Sequence, residues 1–86
     1  ARMVFQHRVC AAFRREVEKA MEANAERLYL VVHGGTIMSI MSRFARPEAD
    51  YFDWRLGNCQ GYRCEAGMGP EGLALTDVRL LHRVAP

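Results

Sequence analysis

Several things are scarce in this 86-residue chain, and each absence closes off a class. No segment approaches the ~18 consecutive apolar residues that suggest a membrane span. No secretory leader is visible either, because the first fifteen residues lack an apolar core and carry Arg2, Arg8, Arg14 and Arg15. Cysteine is limited to Cys10, Cys59 and Cys64, an odd number with no CxxC. That argues against a disulfide scaffold and a metal site, and it fits a reducing, cytoplasmic setting. Charge of one sign is not in excess: twelve basic residues face ten acidic ones, for a net +2. No basic run exceeds two residues, so a nucleic-acid footprint is not expected. Internal repeats and low-complexity tracts are also missing.

What is present is ordinary globular material, half apolar and about a quarter charged. A lone domain of this size buries only about 60–65% of its unfolded surface and is marginal. The first helical pattern starts within a few residues of Ala1 with no capping residue ahead of it, so the chain reads as a piece of something longer.

In residues 3 to 24, Phe5, Val9, Ala12, Phe13, Val17, Ala20 and Met21 recur at spacings of three and four. One helical stripe is expected, closed by Asn24 in a left-handed stop. Leu28 to Val32 is an apolar run without alternation, as in a parallel strand covered on both faces. Ile37, Ile40, Met41 and Phe44 then return to helical spacing, with Thr36 as N-cap and an end by Ala45, ahead of Pro47. Met38 and Met41 read as core. Pro47 is expected to open a short helix through "PEADYFDW". Tyr51, Phe52 and Trp54 would close an edge of the core or line a pocket rim. "CQGYRCEA" and "LALTDVRLLHRV" read as two strands joined by "GMGPEG", with Leu73 and Leu75 alternating, as do Val78 and Leu80. The expected class is α/β: part of a three-layer α/β/α sandwich, its sheet mostly parallel with an antiparallel edge strand.

At the junction of the expected strand and second helix stand His33, Gly34 and Gly35. Ligands of open α/β sheets sit at the carboxyl ends of strands. A helix beginning there aims free N–H groups and a positive dipole end at the same spot. Glycines allow a sharp turn and a close approach, and an imidazole adds a donor, so an anion such as phosphate fits. The plainer alternative is a tight turn with a structural histidine. No GKS or GKT follows, so this is not a Walker loop, nor is it a dinucleotide fingerprint.

The stretch "RLYLVVHGGTIMSIMSRF", preceded by "FQHRVCAAF" and followed by "LGNCQGYRCE", resembles the C-terminal half of the histidine phosphatase, or phosphoglycerate-mutase-like, superfamily. Phe5, Arg8 and Val9, then Val31, Val32, His33 and Gly34, then Asn58 and Cys59 carry the resemblance, which covers nearly all of residues 1–86. It implies one portion of a single domain and two-step phosphoryl transfer through a phosphohistidine on a small phosphorylated metabolite, without a cofactor. His33 matches the family's second histidine, which hydrogen-bonds the transferring group, with the Gly34 N–H assisting; Gly35 and Asn58 stand as candidate rim residues. The departure is that no Arg-His-Gly occurs, and the only histidines are His7, His33 and His82. The nucleophile would lie upstream, so turnover by these residues alone is not expected. Compactness favours phosphatase over mutase. A non-catalytic phosphate- or nucleotide-binding module remains the alternative. The missing strands imply a partner, either an N-terminal segment or a second chain. His7 reads as a solvated or helix-packing residue, His82 as a strand residue near the tail, Arg8 as structural and Cys59 as a small buried residue.

Overall fold

A computed structural model describes residues 2–82. Helix α1 runs Arg2–Glu22 and turns its Cys10 and Val17 inward, flanked by Val9 and Phe13. Phe5 and Met21, at the ends of the expected stripe, stay about a third exposed, and Ala12 is exposed too. The stop is at Asn24 as expected. This residue adopts φ 57°, the Asn24 N–H reaches the Met21 carbonyl, and the Ala25 N–H reaches that of Ala20. That pair of bonds is the Schellman arrangement, which satisfies carbonyls the last turn would otherwise leave bare.

Helix α2 spans Gly34–Phe44. It begins two residues before the expected cap because His33, extended at φ −77° and ψ 159°, supplies the first acceptor carbonyl. It ends at Ala45, ahead of Pro47. Pro47 does not open a helix. Instead Asp50 caps a single 3₁₀ turn at Tyr51–Trp54, and the Asp50 N–H is bonded in return by the Asp53 carboxylate. Strands β1 (Gln60–Gly69) and β2 (Gly72–His82) form the expected hairpin, and they extend through the glycines to leave a two-residue turn at Pro70 and Glu71. The last residues of the expected second strand, Arg83 and Val84, lie outside the described residues.

The core gathers where α1, α2 and β2 meet: Cys10, Val17, Ile40, Met41, Phe44, Ala45, Leu73 and Leu75. Phe13 meets Phe44 at a 40° tilt with ring centres 5.5 Å apart, and Trp54 meets Tyr62 edge-on at the same distance. Trp54 therefore closes a core edge, while Phe52 faces solvent. The Arg46 N–H bonds the Leu75 carbonyl at 2.8 Å and pins the hairpin to the end of α2.

The α/β class is overturned in its central feature. No three-layer sandwich and no mostly parallel sheet forms: the sheet among the described residues is the two-stranded antiparallel β1–β2, and parallel pairing is confined to an isolated Ala45–Leu75 bridge. Leu28 to Val32 is not a buried strand. All five residues are exposed, and no backbone hydrogen bond among the described residues involves positions 26–32. The reason is chemical: backbone N–H and C=O groups must be paired before they can be buried, and no described strand lies beside this segment to pair them.

Candidate functional site

His33 occupies the N-cap position of α2, and its ring is exposed. Its carbonyl accepts the N–H groups of Thr36 at 3.0 Å and Ile37 at 3.1 Å, so the backbone is committed to starting the helix. Its imidazole makes no capping bond, and among the described residues no hydrogen bond engages either ring nitrogen. The N–H groups of Gly34 and Gly35 have no acceptor among the described residues, as the first turn of a helix requires.

The glycines are used differently from the expectation. Neither Gly34 nor Gly35 takes a positive φ, so a sharp turn is not their role. What they give is room. A Cβ built on Gly34 meets nothing within 4 Å, so the backbone beside His33 is open to close approach. At Gly35 a Cβ would lie 3.8 Å from the Tyr51 hydroxyl and 4.0 Å from the Phe5 ring. The Ser39 hydroxyl donates to the Gly35 carbonyl at 2.8 Å. The Tyr51 hydroxyl thus lies beside the first turn of α2.

Arg2 joins this neighbourhood. Its guanidinium sits 4.7 Å from the Tyr51 ring centre and 5.5 Å from that of Phe52, bringing a cation to the side of α2's first turn. The sequence carries no local signal for this, because Arg2 and Tyr51 are brought together only by the packing of α1 against the α2 region.

Asn58 is an exposed turn residue, and among the described residues no hydrogen bond joins it to His33. Cys59 corrects another expectation: it is exposed rather than buried, in a left-handed turn at φ 57°. His7 is exposed, the first of its two expected placements, and His82 lies on a strand as expected, ending β2 with its Nδ1 3.2 Å from Gln60 Nε2.

A groove of about 320 Å³ opens elsewhere, between the helices, lined in part by His7, Cys10, Arg14 and Arg43. Its thiol is a poor nucleophile. Burial pushes the Cys10 pKa up, Arg43 and Arg14 only partly offset this, and the Sγ donates to the Ser39 carbonyl at 3.4 Å. Among the described residues no cluster of three or more His, Cys, Asp or Glu is placed to hold a metal ion. In the same residues no helix is long and apolar enough to cross a membrane.

Comparison of the chain with protein-family models, with curated proteins and with solved structures gave no match.

Proposed function

We propose that the turn at His33 grips a phosphoryl group, and that this chain is the phosphate-holding portion of a cytoplasmic histidine-type phosphatase acting on a small phosphorylated metabolite. The phosphorylated histidine comes from outside residues 1–86, since no Arg-His-Gly occurs among them. One observation carries the reading: an exposed imidazole without a capping bond stands at the N-cap of a helix whose leading N–H groups and glycine backbone are open.

In the transfer, the bond to the leaving oxygen breaks as a bond to the nucleophile forms, and negative charge gathers on the equatorial oxygens. His33 donates a ring N–H to one of these oxygens. The Gly34 and Gly35 amides donate to the same face, and the positive end of α2 adds its field. Arg2, held over Tyr51, supplies a neighbouring cation. Donors fixed in this way bind the transferring group without carrying out the covalent step themselves.

The test is a titration of the ¹⁵N-labelled chain with inorganic phosphate. The largest shifts are expected at His33, Gly34 and Gly35, and His33→Ala weakens binding about tenfold, the worth of one charge-assisted bond. Shifts confined to the groove around Arg14 and Arg43 would sink the proposal. In a protein that also carries the Arg-His-Gly, His33→Ala removes most turnover and spares the fold; an unchanged rate reduces the ring to a structural role. The lack of Arg-His-Gly in residues 1–86 favours one second reading, a non-catalytic phosphate- or nucleotide-binding module, and mutase-type transfer would use the same grip. Coding sequence upstream of Ala1 separates these readings: an Arg-His-Gly there supports the enzyme, and its lack supports the module.

A further inference from the structure

Helix α1 carries a second stripe besides the one that enters the core. Met3, His7, Cys10 and Arg14 recur at spacings of three and four, so they share one face, and that face borders α2 across a groove. The two helices run parallel: the Phe5 ring lies beside Gly35, the Cys10 Sγ beside the Ser39 carbonyl, and Phe13 beside Phe44. Midway along, the facing side chains are short, namely Cys10 and Ala11 from α1 and Ser39 and Ser42 from α2. Longer ones stand at the ends, Met3 at one and Arg14 with Arg43 at the other. Short side chains between neighbouring helices leave a gap, here of about 320 Å³, the low end of the range for small-molecule sites.

The charged residues lining this groove, His7, Arg14 and Arg43, are all basic. No ion pair among the described residues involves Arg14 or Arg43. Glu48 and Glu71 line the hollow on the far side of the two arginines, and Glu48 already faces Arg46 at 4.0 Å. The Arg14 guanidinium is held 5.5 Å from the centre of the Phe44 ring, at the groove's end. Burial raises the Cys10 thiol pKa, and Arg43 and then Arg14 oppose it, so both positive charges are felt at the groove's floor. The Ser39 and Ser42 hydroxyls donate to α2 carbonyls and offer a ligand no hydrogen. The Arg46 guanidinium donates to the Arg43 and Ala45 carbonyls at 3.4 and 2.8 Å, which partly covers the negative end of α2 where an anion would approach.

We infer that this groove binds a small carboxylic acid with an apolar body, its carboxylate between Arg14 and Arg43 and its body over Ala11 and Cys10 toward Met3. Planar guanidinium forks match the two oxygens of a carboxylate. A bare inorganic anion would leave the apolar floor in water, so the ligand is organic. Phosphate sites draw on helix N-termini, whereas the charged end of this groove lies at the C-terminal end of α2, which favours a singly charged carboxylate over a phosphoryl dianion.

The inference is separate from the phosphate reading, because it uses no residue of the His33 turn and its probe carries no phosphorus. The test is a titration of the ¹⁵N,¹³C-labelled 86-residue chain with hexanoate, with acetate and hexanol as the head and the body alone. Saturable shifts are expected at the Arg14 and Arg43 side chains and at the Ala11 methyl, with hexanoate binding at least about tenfold tighter than acetate or hexanol. Arg43→Gln, at an exposed position, weakens binding about tenfold, and Arg43→Lys recovers part of the loss. Ala11→Leu fills the groove with the charges intact and removes binding, while the far-ultraviolet circular dichroism of each variant stays that of the parent. Shifts that never saturate, hexanoate no tighter than acetate, or an affinity unmoved by Ala11→Leu and Arg43→Gln overturns the inference. Butyl phosphate bound in the groove more tightly than hexanoate overturns the choice of a carboxylate.

Discussion

Leu75 and Val31 make an instructive pair. Both are aliphatic, both belong to apolar runs of extended chain, and their exposures are 3% and 100%. Leu75 has β1 on one side to pair its backbone, and its carbonyl accepts the Arg46 N–H. Val31 has no such neighbour. Burying a side chain of this kind contributes about 1.5–3 kcal/mol, but the peptide groups on either side must be hydrogen-bonded first. The difference between the two regions therefore lies in the partners their backbones find, not in side-chain hydropathy.

The largest test of that contrast is on the buried side. Phe44, 2% exposed and packed on Phe13, should cost about 3–5 kcal/mol when changed to alanine, read as a lower urea midpoint. A backbone test comes next. Gly72 sits at φ +105° after the hairpin turn, and alanine there should cost about 1–3 kcal/mol although nothing crowds the new methyl. A smaller effect should follow pH. Burial raises the thiol pKa values of Cys10 and Cys64 above 9.0, so the folded chain holds those protons longer than the unfolded one. Their contribution is complete below about pH 9 and is lost as pH climbs through the folded-state values; thermal melts should show the decline, and a Cys10→Ala, Cys64→Ala variant should flatten it. Thiol reagents sharpen the same point, since exposed Cys59 should react first and Cys10 only as the chain opens. The smallest effect belongs to the other region: Val31→Ser, at a fully exposed position, should change the unfolding free energy read from urea titration by less than ~0.5 kcal/mol.

Much of this structure was legible wherever local rules decide. The helical spacing of Val9, Phe13 and Val17, the Asn24 stop, the end of α2 ahead of Pro47 and the glycine-bounded hairpin all depend on residues within a few positions of one another. Leu28 to Val32 misled because its pattern specifies an extended, apolar segment and says nothing about whether a pairing strand exists. Cys59 misled because small apolar side chains favour burial on average, whereas a left-handed turn next to Asn58 places this one outside. At the candidate site, the position of His33 ahead of a helix followed from spacing. The approach of Arg2 and Tyr51 did not, since it depends on how separate elements pack.

One irregularity of the hairpin governs how it holds the helices. Arg63 pairs with Arg79 and Glu65 with Thr76, so β2 spends one residue more than β1 over that interval, and Asp77 absorbs it at φ 50°. The extra residue carries Leu75 and Val78, three apart, onto the same side of the ribbon, where strict alternation would set them back to back. It also curls the ribbon, so that Leu73 and Leu75 clasp the end of α2 while Tyr62, farther down, still reaches Trp54. A straight ribbon touches a rounded body along one short patch. This one grips at two, and Asp77 is the knuckle between them.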